Sequence, residues 1–181
     1  MKLLNILLFS LLCSAVSFGQ GKFLTKKGYT SFFSSTPIED IKADNNQVLS
    51  IIDSSTGTIA ISILMKSFMF EKSLMQEHFN ENYVESDEYP KAIFKGQILD
   101  FSDANENEPM VTIVGDITIH GITKKIETKG KINKTEGSIK LTGDFPVKVA
   151  DFGIKIPSIV ANNIAETIKV TFELDHKPYK K

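Results

Sequence analysis

Short runs of alternating apolar and polar residues recur along most of the chain after residue 20. In TIKVTFELD, residues 167–175, isoleucine, valine, phenylalanine and leucine occupy every second position. A period of two places these side chains on one face of a β-strand, because successive side chains point to opposite faces. Thr58–Leu64 alternates in the same way with three isoleucines. Further strand-like runs lie at 29–33, 48–52, 92–101, 110–120, 124–132 and 138–149.

Turn-forming residues separate these runs. They include SSTG at 54–57, HG at 120–121 and NKTEG at 133–137, compositions that favour hairpins and short loops. Eight or nine strands, each with one apolar face and most joined by short links, are typical of an antiparallel sandwich or barrel. The pattern therefore predicts an all-β protein.

One connection is much longer than the others. About 25 residues separate the strand that ends near residue 65 from the one that begins near residue 92, and a compact domain rarely leaves such a length without structure. Apolar side chains in this link approximate helical spacing, and Pro90 ends it. We therefore predict a short helix over 71–82 that covers one end of the sheet.

The first 19 residues have the features of a secretory signal peptide. Lys2 precedes an apolar run from Leu3 to Leu12, and small residues precede the expected cleavage site after Gly19. Cys13 follows a leucine rather than a small residue, which disfavours a lipoprotein signal. Residues 20–181 are then expected to form one cysteine-free domain exported to the periplasm. The formal net charge of −1 gives no indication of a nucleic-acid partner.

The three histidines are the main candidates for chemistry. His78 and Glu81 have the spacing of a metal or acid–base pair on a helix, but the sequence lacks the closely spaced His or Cys pairs of zinc sites. A solvated helix face is the simpler interpretation. We expect His120 to be a polar residue beside a glycine turn, and His176, in the tail DHKPYKK, to be solvated. The sequence thus predicts no catalytic residue, no metal site and no cofactor.

Three segments resemble, in order and spacing, the motifs of the YceI-like lipid-binding family. They are HFNENYVESDEYPKAIFKG (78–96), VGDITIHGITKKI (114–126) and VADFGIKIP (149–157). The resemblance implies an extended lipocalin-like antiparallel barrel of eight strands with a short helix in the 66–90 link. It also implies an apolar tunnel for a polyisoprenoid chain, such as the tail of an isoprenoid quinone, or a similar amphiphile. Phenylalanines expected to line such a tunnel are Phe68, Phe70, Phe79, Phe94, Phe152 and Phe172.

The chain also departs from the family pattern. Met75 and Gln76 stand where many relatives carry an arginine and an aspartate, and Lys148 to Ala150 stand where many carry an arginine. If those arginines orient a head group, the ligand here is less polar or the core is closed.

Three hypotheses follow. The leading one is an exported, non-catalytic binding protein for a long apolar lipid held in the barrel, without stable membrane insertion and with homodimerisation left open. The alternative is a filled barrel of the same fold that acts as a structural or protein-interaction module. A third is a metal-dependent hydrolase that uses His78 and Glu81.

Overall fold

The computed structural model describes residues 21–104 and 109–179, and most of these residues lie in β-strands. The predicted signal peptide, residues 1–19, lies outside the described residues. The strands are β1 (Lys22–Ser35), β2 (Asp40–Asp53), β3 (Thr58–Leu64), β4 (Met69–Phe70), β5 (Lys91–Ile98), β6 (Met110–Ile119), β7 (Ile122–Thr135), β8 (Ser138–Lys148) and β9 (Thr167–Pro178).

Eight of these strands form a closed antiparallel barrel. Hydrogen-bonded neighbours follow the order β1, β9, β8, β7, β6, β5, β3 and β2, and β2 pairs again with β1. The two-residue β4 pairs with β2 outside this ring. In the closed barrel each strand of the ring has a hydrogen-bonded neighbour on both sides, so neither of its edges is left open for pairing with another chain. The predicted all-β, eight-stranded antiparallel barrel is confirmed.

Strand β1 is much longer than the predicted run at 29–33. It begins at Lys22 and continues through two adjacent lysines that break the alternation. A register shift between Thr25 and Gly28 accommodates this irregular stretch as a bulge. A Cβ atom at Gly28 would lie 2.6 Å from the side chain of Leu174. Glycine at the bulge therefore lets β9 pack closely against β1.

In the described residues, the barrel interior is filled with buried side chains at one end. We call this the closed end; there β1 begins, β2 ends and the turn at 99–104 packs against Gly57 through the buried Phe101. Lys134 Nζ donates a 2.6 Å hydrogen bond to the Phe101 carbonyl of this turn and lies 4.9 Å from the Phe101 ring centroid. The side chains that fill this end are at most 2% exposed: Ile52, Ile98, Ile132, Leu141 and Leu174.

His176 also lies at the closed end, and the expectation that it is solvated was wrong. The residue is 0% exposed. Its Nδ1 donates to the carbonyl oxygen of Ile139 at 3.0 Å, and the hydroxyl of Ser50 lies 2.8 Å from its Nε2. Burial lowers the pKa of the His176 imidazole. The neutral ring therefore joins β9 to β8 and β2.

The long link between β3 and β5 contains the predicted helical segment. It forms α1 (Ser73–His78), which continues as a π-helical turn at Phe79–Tyr83. Short 3₁₀ turns lie at Met65–Ser67, Val149–Phe152 and Ser158–Val160. Phe79 and Tyr83 face the barrel, whereas Leu74, which helical spacing also placed on that face, is 59% exposed. The link covers the end of the barrel opposite the closed end, which we call the open end.

Candidate binding cavity

The open end of the barrel contains a large apolar cavity with a volume of about 310 Å³. Its wall combines strand residues with residues of the helical link and of the 149–166 connection between β8 and β9. The apolar side chains of the wall are Phe32, Ile41, Ile63, Met65, Phe68, Phe70, Met75, Phe79, Val84, Ala92, Ile119, Val147, Val149, Ile154, Ile156, Val160, Ile164, Ile168 and Val170.

The cavity reaches solvent at a mouth between the helical link and the 149–166 connection. His78, which lines the cavity, is exposed there. Three exposed apolar side chains at this end are each adjacent in sequence to a lining residue. They are Ile38 (63% exposed), Leu74 (59%) and Ile159 (90%). Met69 (60%) is also exposed, but β4 places it opposite Asp44 on the outer face of the barrel.

Four phenylalanine rings form one wall of the cavity. Phe32 of β1 lies at the centre, with ring centroids 5.5 Å from Phe68, 5.6 Å from Phe70 and 5.4 Å from Phe79. Such distances are typical of favourable aromatic pairs. Strand β4 brings Phe70 opposite Ala43 of β2, and the helical link supplies Phe79. The two elements inserted between β3 and β5 therefore build this wall.

A small polar group joins three segments beside the mouth. Lys72 Nζ donates to a carboxylate oxygen of Glu39 at 3.0 Å, and the Asn163 amide donates to the other oxygen at 3.3 Å. The hydrogen bond from Lys72 is the main reason that the pKa of Glu39 lies below its usual value. The ion pair leaves no net charge at this point of the mouth. It links the β1–β2 turn to the helical link and the 149–166 connection.

A second, smaller cavity of about 60 Å³ lies deeper in the barrel. Thr30, Ile63 and Val170 line both cavities and separate them. These residues come from β1, β3 and β9. The interior therefore changes along the barrel axis, from a large open cavity to a small one and then to the filled closed end.

Glycines set the positions of two aromatic rings in the smaller cavity. A Cβ atom at Gly96 would lie 2.6 Å from the ring of Phe94, and one at Gly115 would lie 2.8 Å from it. A Cβ atom at Gly143 would likewise lie 2.6 Å from the ring of Phe172. The rings thus lie against bare backbone at the wall of the barrel. This arrangement keeps part of the interior free.

His120 joins three connections at the open end. Its Nε2 lies 2.6 Å from a carboxylate oxygen of Glu85, and its Nδ1 lies 3.0 Å from the carbonyl oxygen of Phe152. The Tyr89 ring packs edge-on against the imidazole, with centroids 4.6 Å apart. Glu85 and His120 both have positive φ, 45° and 49°, a conformation that costs energy outside glycine. His120 lies beside a glycine turn as expected, and it also ties the helical link to the 149–166 connection.

The structure brings five of the six phenylalanines expected in the tunnel to the two cavities. Phe68, Phe70 and Phe79 line the larger cavity, whereas Phe94 and Phe172 line the smaller one. Phe152 is 4% exposed, packs in the core and lines neither cavity. That any of these rings contacts a ligand stays a prediction.

The sequence reasoning missed the contribution of the 149–166 connection. Ile154, Ile156 and Ile164 from this segment line the larger cavity, together with Val160 and Asn163. The segment has little regular structure, so it has no periodicity to detect. Its apolar residues, six of them β-branched, were the one available signal.

The described ranges show no grouping of metal ligands. In residues 21–104 and 109–179, no three His, Cys, Asp or Glu side chains lie together as a metal site would require. His78 lies at the mouth of the larger cavity, and Glu81 is exposed. Ser50 and His176 are hydrogen-bonded, but both are 0% exposed and neither lines a cavity.

None of the helices in the described part of the chain has the length and apolar character to cross a bilayer.

Solved structures share this fold at low sequence identity. A polyisoprenoid-binding domain from Saccharophagus degradans has a TM-score of 0.76 at 17% identity, covering 88% of this chain and 99% of that one. BcnA from Burkholderia cenocepacia has a TM-score of 0.70 at 16% identity, with coverages of 82% and 96%. The YceI protein of Campylobacter jejuni has a TM-score of 0.58 at 15% identity, with coverages of 87% and 85%.

Sequence comparison gives a family but no individual relative. No curated protein matches the chain significantly. The family model for the YceI-like domain matches residues 15–176, which is most of the chain and includes the whole barrel except the last two residues of β9. The protein therefore belongs to the YceI-like domain family.

Proposed function

We propose that the protein binds the apolar chain of a lipid, a polyisoprenoid or a similar long amphiphile, inside the barrel. The observation that carries this proposal is the apolar cavity of about 310 Å³ with a mouth to solvent. A volume of this size lies within the usual range for ligand pockets. It disfavours the alternative of a filled barrel that acts only as a structural or interaction module.

Several side chains that point into the barrel remain partly exposed to solvent. Phe32, Phe79, Ile168 and Val170 point into the barrel but are only half-buried, because they border the cavity. An apolar chain in the cavity removes their surface from water as well as its own. Burial of this kind contributes about 0.8 kcal/mol for each methylene. Binding therefore needs few polar contacts.

The proposed contacts follow the two cavities. The rings of Phe68, Phe70 and Phe79 would contact the part of the chain nearest the mouth, and those of Phe94 and Phe172 would face its far end. A head group would lie beside Glu39 and its partners at the mouth. The S. degradans domain, which shares the fold, is described as polyisoprenoid-binding and supports this class of ligand.

We further propose that the protein is exported and does not act chemically on its ligand. The predicted signal peptide at residues 1–19 supports the periplasm as its location. The hydrogen-bonded pair of Ser50 and His176 lies in the filled closed end, away from the lining of both cavities. A bound chain would therefore meet mainly hydrocarbon side chains, which offer no acid, base or nucleophile.

A matched pair of variants tests binding in the cavity. Ala92 is a small residue in the cavity wall, so the ring in Ala92→Phe would occupy space that the chain needs. Ala60 of β3 lies opposite Lys95 of the adjacent strand β5. The alternation of β3 directs the Ala60 side chain to the outside of the barrel. Ala60→Phe is the control. Native mass spectrometry follows binding after incubation with farnesol and with an isoprenoid quinone.

The expected result is a one-to-one complex for the wild type and for Ala60→Phe, and at least a tenfold loss of binding for Ala92→Phe. Bare wild-type protein with both lipids would refute the proposed function. Equal binding by Ala92→Phe and wild type would show that the lipid binds outside the barrel, and would refute the proposed site.

A further inference from the structure

We propose that the barrel accepts about 12 to 15 carbons of a single chain, so that affinity for single-chain amphiphiles stops rising at about that length. The inference rests on the proposed function. It adds a limit on chain length, the residues that set the limit, and the consequence that any longer lipid leaves most of its chain outside.

The limit comes from the volume of the interior. An apolar protein cavity of about 150 Å³ holds one benzene molecule, which has six carbons. On that scale the larger cavity, at about 310 Å³, holds about 12 carbons. The smaller cavity, at about 60 Å³, adds about two more. The total corresponds to about three isoprene units.

Three side chains separate the two volumes. Thr30 of β1, Ile63 of β3 and Val170 of β9 line both cavities, so they approach the barrel axis from different strands. The Thr30 hydroxyl donates a 2.9 Å hydrogen bond to the carbonyl oxygen of Thr171, which fixes the orientation of this side chain. We call these three residues the partition.

Beyond the smaller cavity, buried side chains of the described residues fill the barrel. Ile52, Leu141, Leu174 and His176 fill the closed end and are all 0% exposed. A chain that enters at the mouth therefore reaches the partition or the smaller cavity and stops. Each further carbon stays in water near the mouth and gains little binding energy.

A series of alcohols with the same head group measures the limit. Straight-chain alcohols from octanol to octadecanol, together with geraniol, farnesol, geranylgeraniol and solanesol, would be tested by displacement of a fluorescent probe. Affinity is expected to rise about fourfold for each added methylene. It should then level off between dodecanol and hexadecanol. The dissociation constants of farnesol, geranylgeraniol and solanesol should agree within about threefold.

Variants of the partition test which residues set the limit. Ile63→Ala combined with Val170→Ala joins the two cavities, and the chain length at which affinity levels off should increase by about two to four carbons. Leu64→Ala is the matched control, because Leu64 follows Ile63 on β3 but is exposed on the outside of the barrel and lines neither cavity. It should leave the chain length at which affinity levels off unchanged.

The outcomes separate this inference from the proposed function. Failure of every alcohol to bind would refute both. Affinity that keeps rising through octadecanol and solanesol would refute the length limit and leave lipid binding intact. If affinity levels off at the same chain length in the folded double variant as in the wild type, the role of the partition is refuted. If that variant does not fold, the wild-type series alone still decides whether a limit exists.

Discussion

Replacing Ser50 with alanine tests whether the closed end depends on its buried hydrogen bonds. The carbonyl of Ile139 can only accept, so His176 Nδ1 carries the proton that lies in this 3.0 Å contact. Nε2 of the neutral ring must then accept from the Ser50 hydroxyl at 2.8 Å. In Ser50→Ala this nitrogen stays buried without a donor.

The expected cost follows from the burial of both partners. Ser50 and His176 are 0% exposed, so water does not replace the lost hydroxyl. Stranding a buried polar atom costs about 1–3 kcal/mol, and we expect about 2 kcal/mol for Ser50→Ala. For a domain of this size such a loss lowers the melting temperature by roughly 4–8 °C.

The assay is urea unfolding at pH 7.5, followed by circular dichroism. Ser62→Ala is the control, because the alternation of β3 places Ser62 on the outside of the barrel. The control should change the free energy of unfolding by less than about 0.5 kcal/mol. An equally small change in Ser50→Ala would contradict the assigned hydrogen bond.

The same histidine makes stability depend on pH. Burial lowers the pKa of His176 in the folded protein below its usual value of 6.5, so the unfolded chain binds the proton more readily. As the pH falls below about 6.5, the free energy of unfolding should therefore decrease. Each unit by which the pKa is lowered contributes up to about 1.4 kcal/mol of this decrease. The decrease should be smaller in His176→Gln, measured at pH 7.5 and pH 5.0; equal decreases would refute the assignment.

Two further predictions concern the interior and the mouth. Gly143→Ala should destabilise the protein by about 1–3 kcal/mol and weaken lipid binding, because the new Cβ displaces the Phe172 ring into the smaller cavity. Gly137→Ala is the control, because nothing lies within 4 Å of the new Cβ, and it should change neither stability nor lipid binding. Equal losses in the two variants, measured by unfolding and binding assays, would refute this account. Leu74→Glu should slow transfer of a fluorescent isoprenoid from vesicles at least threefold, since the exposed Leu74 adjoins Met75 of the cavity wall. Met110→Glu, at a similarly exposed apolar side chain at the closed end, should leave the rate unchanged; identical rates in the two variants would contradict access through the mouth.

The barrel could be predicted because its evidence is local. The alternation in β9 and β3 follows directly from one apolar and one polar face, and the helical link follows from an excess of chain length. The family resemblance then supplied closure into a barrel, which no single strand reveals.

The features that the sequence did not predict correctly depend on contacts between residues far apart in the chain. His176 lies in a polar stretch, and its burial comes from pairing with Ile139 and from contact with Ser50, 126 positions away in the chain. The contact between His120 and Glu85 likewise depends on how the helical link folds back over the barrel. No periodicity marks Ile154 or Ile156 as cavity residues, because the 149–166 connection is irregular.

A crystal structure of the protein with bound farnesol tests the central claim most directly. The account predicts electron density for one chain in the larger cavity, against the rings of Phe32 and Phe79, with the head group at the mouth near Glu39. The far end of the chain should reach the partition of Thr30, Ile63 and Val170. An empty, unchanged cavity with farnesol bound only on the outer surface would contradict the account.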